Sequence, residues 1–193
     1  MKISHIFIDI DGVLNRFVTY ILMRLGCNIE DDDRIFKPEW GWDIYKAYVY
    51  YHKQPLTENE FWDHITREMW ATVPLTSEAW PIINLAVELV GEKNVCLLSA
   101  PPRGADQLAG KLEWIQNNMP KWLHRQYLFG PKKHYCARPD HLLIDDADHN
   151  CRDFVAVGGL AILVPRPWNK NHELPTLEFV TTKLDQLIQE QHD

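Results

Sequence analysis

The sequence contains no apolar run approaching the about 18 residues that a membrane helix needs, no CxxC pair, and no excess of positive charge. The first absence argues against a membrane-spanning helix. Met1 and Lys2 lead straight into the apolar stretch Ile3 to Ile10, which is too short and too acidic for a signal peptide. The expectation is therefore a soluble, cytoplasmic protein. The four cysteines (Cys27, Cys96, Cys136 and Cys151) are far apart in sequence and read as reduced thiols rather than a disulfide framework. The nine histidines are scattered, and none pairs with a cysteine at zinc-finger spacing. Lysine and arginine number 20 against 27 acidic residues, a formal net charge of −7. That balance disfavours proteins that coat duplex nucleic acid or anionic membrane, which need clustered positive charge. It is compatible with a small anionic substrate held by a metal ion and one or two lysines.

What is present is an ordinary globular composition. The 193 residues are 46% hydrophobic and 24% charged, which suits one domain with a small inserted subdomain. Five short apolar runs recur: Ile3 to Ile10, Asn94 to Ser99, Gln126 to Gly130, His141 to Asp146 and Leu160 to Pro165. Near-continuous apolar runs of this length fit strands buried on both faces of a parallel sheet. Between them, Glu78 to Val90, Gly104 to Asn118 and Asp148 to Val157 carry apolar residues at helical spacing, with Ser77 as a candidate cap for the first. Thr176 to Gln189 reads as a last helix. The alternation predicts an α/β fold, an open Rossmann-like parallel sheet flanked by helices.

One segment breaks this rhythm. Residues 15–76 show no convincing buried strand but are rich in aromatics, among them Phe17, Phe36, Trp40, Trp42, Tyr48, Phe61, Trp62 and Trp70. The pattern predicts a small helical insertion whose rings mostly form its own core, a minority lining a pocket for a flat ligand. The expected division is residues 1–14 and 77–193 as the main unit, with 15–76 inserted after the first strand. The acidic run Glu30 to Asp33 reads as a solvated loop or helix start.

The chemistry concentrates at strand ends. Asp9 and Asp11 stand two apart after the first apolar run, so their side chains leave the same side of an extended chain. A buried strand has no cheap place for a carboxylate. At the carboxyl end of a central parallel strand, however, the pair points into the crevice where open α/β sheets bind ligands. Gly12 lets the backbone turn there. Asp145 and Asp146 end a second such strand. Two acidic strand ends in one sheet repel unless a cation lies between them, and hard oxygen ligands suit Mg²⁺. Ser99 at one strand end and the Lys132–Lys133 pair after another supply a hydroxyl and an ammonium, the makings of a phosphate clamp.

The series Asp9-Ile-Asp-Gly-Val, Ser99, Lys132 or Lys133, then Asp145-Asp146 resembles the four motifs of the haloacid dehalogenase-like phosphohydrolases. Within that superfamily the sequence is most similar to the 5'(3')-deoxyribonucleotidases of bacterial and phage type, through Asp9 to Phe17, Gly110 to Trp114 and Leu142 to Asp146. The resemblance implies that Asp9 is the nucleophile and Asp11 the general acid and base. It implies Mg²⁺ bound by Asp9, the Asp11 carbonyl and Asp146, with Asp145 close by. Ser99 and one lysine would hold the phosphate; Lys133 is favoured because residues 134–137 resemble the helix that follows this motif, and Lys132 stays open as the alternative. Phe17 falls where the family places a ring against the base, and residues 15–76 would form the helical cap.

Two departures from the family pattern stand out. Ala100 replaces a second hydroxyl beside the phosphate, a contact that Arg103 could supply. Asn150 stands where many relatives carry another acid. The implied activity is a phosphomonoesterase acting on a small phosphorylated metabolite, with (deoxy)nucleoside monophosphates leading. Polynucleotide ends are the weaker choice, because the chain offers no basic track. A dehalogenase needs neither Asp11 nor a metal. A receiver-type regulatory module would place the acidic pair first and the lysine last, and a binding protein on this fold would be expected to lose Asp9 or Asp11. A homodimer is compatible with the sequence and not demanded by it.

Overall fold

The strand that carries Asp9 sits in the middle of the sheet. A computed structural model describes residues 2–29 and 36–192, so the acidic run Glu30 to Asp33 lies outside the described residues. Five strands, β1 (His5–Ile8), β2 (Val95–Ser99), β3 (Tyr127–Phe129), β4 (His141–Asp145) and β5 (Leu160–Leu163), form one sheet in the order β3-β2-β1-β4-β5. All four pairings are parallel. Ile8 is level with Leu97 on one side and Ile144 on the other, so β1, β2 and β4 reach the same edge of the sheet, β4 running one residue further and β2 two.

Both faces of the sheet are covered, which explains the unbroken apolar runs. Ile6 and Ile8 pack into the main core with Ile82, Ile83 and Ala86 of α5 (Ala79–Val90) and Val180 and Leu184 of α8 (Thr176–His192). Phe7, between them, points the opposite way into a smaller cluster with Leu98, Leu143 and Phe154 of α7 (Asp148–Ala156). Two expectations are adjusted. β3 is a short edge strand whose Leu128 is half exposed, because only one neighbour covers it. Ser77 does not cap α5: the cap position falls on Glu78, and no side chain accepts a hydrogen bond there.

Between β1 and α5 the described residues carry four short helices, α1 (Phe17–Arg24), α2 (Ile44–Tyr51), α3 (Glu58–Asp63) and α4 (Arg67–Ala71). Local sequence starts three of them. The Asp43 side chain caps α2, Thr57 and Glu60 form a reciprocal capping box on α3, and Thr66 caps α4. The aromatics are mainly core, with Phe17, Tyr48 and Phe61 fully buried. The segment leaves and rejoins the sheet side by side: the Arg16 amide donates to the Pro74 carbonyl (2.9 Å) and the Thr76 amide to that of Leu14 (3.0 Å).

The four-helix segment docks on α6 (Ala105–Asn118). Gln107 Nε2 donates to the Trp62 and Ile65 carbonyls (2.7 and 2.9 Å), and Trp114 Nε1 to that of Val73 (2.7 Å). Gly110 makes the close approach possible, since a Cβ there would overlap the Arg67 carbonyl and crowd Trp70. Gly110→Ala therefore lowers stability by about 1–3 kcal/mol through steric conflict, despite alanine's higher helix propensity. Chemical denaturation checks this, and an unchanged or raised stability contradicts the packing account.

Candidate active site

Because β1, β2 and β4 are parallel neighbours that reach one edge of the sheet, their last residues and the loops beyond come together there. Asp9 Oδ1 accepts from the Ile10 amide (2.7 Å), and its Oδ2 lies 2.7 Å from Lys133 Nζ. Lys133 also reaches Asp145 Oδ2 at 2.6 Å, so one ammonium bridges the ends of β1 and β4. Asp11 is held from both sides, by Asn15 Nδ2 (3.1 Å) and by Lys111 Nζ (2.5 Å). Lys111, which enters from α6, also donates to Ser99 Oγ (2.9 Å) and the Ala100 carbonyl (2.8 Å). It thereby ties the general-acid candidate to the end of β2.

Gly12 shapes the turn between these groups. Its φ of 81° is in the region glycine tolerates, and a Cβ would fall inside the Asp146 carboxylate. Arg166 pins the turn from below, donating to the Gly12 carbonyl at 2.5 Å and the Val13 carbonyl at 3.3 Å.

The two carboxylates ending β4 differ sharply. Both Asp145 oxygens are occupied, by Lys133, by the Ala147 amide (2.9 Å) and by Asn150 Nδ2 (3.1 and 3.2 Å). Asn150 thus brings a donor where an acid would add charge. Asp146 Oδ2 accepts from two indoles, Trp42 Nε1 (2.9 Å) and Trp168 Nε1 (2.7 Å), and Asn169 Nδ2 donates to the Asp146 carbonyl (2.9 Å). Asp146 Oδ1 is buried with no hydrogen-bond partner.

Among the described residues, four buried carboxylates, Asp9, Asp11, Asp145 and Asp146, thus share this edge with two buried ammoniums, Lys111 and Lys133, while the buried Arg166 guanidinium is turned to the Gly12 and Val13 carbonyls and to Glu78 (3.7 Å). Burial pushes the Asp146 carboxyl well above the usual carboxylate range, and the neighbouring Asp145 and Asp9 charges add to the rise. Burial likewise raises Asp11, opposed by Lys111. For Lys133, burial alone would lower the ammonium's pKa; the Asp145 and Asp9 carboxylates outweigh it and hold the pKa above the ordinary lysine value.

Ligand oxygens of Asp9, Asp145 and Asp146 all lie within 4.8 Å of one another. The donor set is carboxylate oxygen alone, the local charge is short of cations, and one buried oxygen lacks a partner. All three features fit a hard divalent cation.

Beside these groups lies a pocket of about 180 Å³, lined by Asp9, Asp11, Trp42, Ser99, Ala100, Lys133, His149 and Asn150, with Pro131 and Ala147. The structure therefore brings Asp9, Asp11, Ser99, Ala100 and Lys133 to one pocket, with Asp145 and Asp146 behind them. Three candidates lie elsewhere. Lys132 is exposed, one position out of register with the buried Lys133. Arg103 is drawn away to Asn59 (3.0 Å) and Glu58 (3.2 Å) at the start of α3. Phe17 is fully buried, its ring stacked on Trp70 (4.4 Å) and parallel to Trp42 (6.3 Å), and it is Trp42 that reaches the pocket wall.

Sequence reasoning missed Lys111, Trp42, Trp168 and Arg166. Lys111 carried a signal: it stands three and four residues before Trp114 and Ile115, on the buried face of α6, where a lysine needs a partner. Residues 165–169, which follow the last strand at the ligand-binding edge, gave a weaker one.

The sequence model of one family, described as 5' nucleotidase, deoxy (pyrimidine), cytosolic type C protein, matches residues 2–178. The chain belongs to this nucleotidase family. It is a phosphoric monoester hydrolase. No curated protein sequence matches the chain. Among solved structures, a haloacid dehalogenase-like hydrolase from Xanthomonas campestris is 13% identical, with 98% of this chain and 97% of that one covered and a TM-score of 0.55. A HAD-family hydrolase from Deinococcus radiodurans, solved with phosphate and sodium, is 16% identical over 96% and 88% of the two chains, with a TM-score of 0.52. The HAD-type hydrolase YfnB from Bacillus subtilis, solved with magnesium, is 12% identical over 96% and 100%, with a TM-score of 0.52. At these identities the likeness is one of fold.

Gly12→Ala is expected to displace the Asp146 carboxylate and lower phosphatase activity by about 10²-fold or more, with far-UV circular dichroism little changed. Near-normal turnover by a folded Gly12→Ala protein contradicts the described packing of the turn.

Proposed function

We propose that this protein is a Mg²⁺-dependent phosphatase of nucleoside or deoxynucleoside monophosphates that works through an aspartyl phosphate on Asp9. The observation that carries the reading is that Asp9 and Asp11 line one pocket together with Ser99 and Lys133. Asp9 presents its carboxylate to the pocket, with Oδ2 2.7 Å from the Lys133 ammonium that would also meet the phosphate. Asp11 is buried, and its pKa is raised, which favours carrying a proton.

In the proposed first step an Asp9 carboxylate oxygen bonds to phosphorus as the bond from phosphorus to the ester oxygen breaks. Asp11 gives its proton to the departing alkoxide. In the second step Asp11, now a carboxylate, takes a proton from water as that water attacks the phosphorus of the Asp9 acyl phosphate, releasing inorganic phosphate and restoring both residues. Lys133 and Ser99 hold the non-bridging oxygens, and Lys111 keeps Ser99 and Asp11 in a fixed relation. Asp9, the Asp11 carbonyl and Asp146 would hold Mg²⁺, with Asp145 fixing Lys133. When bound, the ion neutralises phosphate charge and stabilises the charge that develops during transfer.

Residues 15–76 serve in this reading as a cap that shields the pocket from water. Trp42, on the pocket wall, is the ring best placed to meet the base or sugar. Membership of a family of cytosolic deoxynucleotidases supports a deoxynucleotide substrate and a cytosolic setting. Magnesium in the Bacillus subtilis hydrolase and phosphate in that from Deinococcus radiodurans support the ion and the ligand class.

Two measurements check this reading. Asp9→Asn lowers turnover by on the order of 10³-fold or more while the protein stays folded; substantial turnover by that variant removes Asp9 as nucleophile. Phosphate release from a panel of 5'- and 3'-(deoxy)nucleoside monophosphates, sugar phosphates and an aryl phosphate is expected to need Mg²⁺, to stop with chelator, and to favour nucleotides. Release confined to sugar phosphates contradicts the substrate class and leaves the chemistry standing.

A further inference from the structure

Asp146 is held more elaborately than a metal ligand requires. Two indole N–H groups converge on its Oδ2 while Oδ1 is left buried and unpartnered. An indole can donate but not accept, so both tryptophans commit Oδ2 and fix the plane of the carboxylate. Their origins differ. Trp168 follows β5, is buried, and packs edge-on against Phe36 (5.3 Å). Trp42 is 104 residues away from Asp146 in sequence, in the helical segment just before α2, with its ring parallel to that of Phe17. The backbone is fixed as well, through Asn169.

We infer that Trp42 and Trp168 are positioning residues that clamp Asp146 Oδ2, so that Oδ1 is presented to the divalent cation, and that Trp42 couples cation binding to closure of the helical segment. The inference rests on the proposed metal site. Groups that orient a ligand commonly govern metal affinity. Here one of the two orienting donors belongs to the segment that would open to admit substrate. With the segment lifted away, Asp146 keeps only the Trp168 donor and its carboxylate is free to swing. Coupling of this kind is reciprocal: if closure tightens cation binding, the cation stabilises closure by the same factor.

The experiment measures Mn²⁺ and Mg²⁺ binding to the substrate-free full-length protein by calorimetry, with Mn²⁺ also followed by electron paramagnetic resonance. Wild type is compared with Trp42→Phe and Trp168→Phe. Phenylalanine keeps an aromatic ring and removes the N–H, so a tryptophan that only packs leaves affinity unchanged. The expected result is about 10- to 100-fold weaker binding for each variant. Trp42 is only partly buried, so Trp42→Phe remains informative if Trp168→Phe fails to fold. Affinities within twofold of wild type overturn the clamp while leaving the proposed metal site in place. A wild-type protein that binds neither ion overturns the metal site itself, and the clamp with it. For the coupling, Mn²⁺ should slow amide exchange in α2 of wild type and not of Trp42→Phe; equal slowing in both overturns it.

Discussion

Everything at the carboxyl edge of the sheet depends on how four buried carboxylates are kept from forcing it apart. Lys133 binds the ends of β1 and β4 together, and Lys111 binds the turn after β1 to the end of β2. Each ammonium sits between strands that are adjacent in the sheet but distant in sequence. The sheet order is thus written into the ion pairs as well as the apolar core. The pairs do not close the charge balance, and the remaining deficit falls beside Asp146 Oδ1, the one buried carboxylate oxygen with no donor among the described residues. Buried charge that is incompletely compensated is costly. Here the same imbalance makes the edge receptive to a cation.

The helical segment between β1 and α5 is bound into this arrangement at three levels. Its ends are stitched by hydrogen bonds beside the Asp11 turn, its last helix lies against Gly110 one residue before Lys111, and its Trp42 reaches Asp146. Lys111 also lies 5.0 Å from the centre of the Trp70 ring. Movement of the segment would therefore be felt at Asp11, at Ser99 and at Asp146 beyond the end of β4. One lysine of α6 thus touches Asp11 and Ser99 at the sheet edge and Trp70 of the docked helical segment.

Much of this was legible in the sequence because burial and charge conflict there. Asp9, Asp11, Asp145 and Asp146 stand at the ends of runs too apolar to hold them without a reason, and all four converge. The sheet and its helices followed from the same runs. Less legible were contacts whose partners are set only by tertiary packing. Lys132 and Lys133 are neighbours in sequence, and a single position in the short turn after β3 decides which one is buried. Arg103 was a reasonable phosphate ligand until α3 supplied Glu58 and Asn59 nearby. Phe17 matched a family position, but its ring stacks on Trp70 and is buried beneath Trp42 in this chain. The tryptophans on Asp146 were hidden because aromatic richness reads first as core.

The central claim is that Asp9 carries the phosphoryl group during turnover. Adding borohydride to the protein turning over a nucleoside monophosphate with Mg²⁺ would reduce an aspartyl phosphate to homoserine, which peptide mass spectrometry locates. The account predicts homoserine at position 9, dependent on substrate. Active turnover with Asp9 unmodified, or with the modification at Asp11, would contradict it.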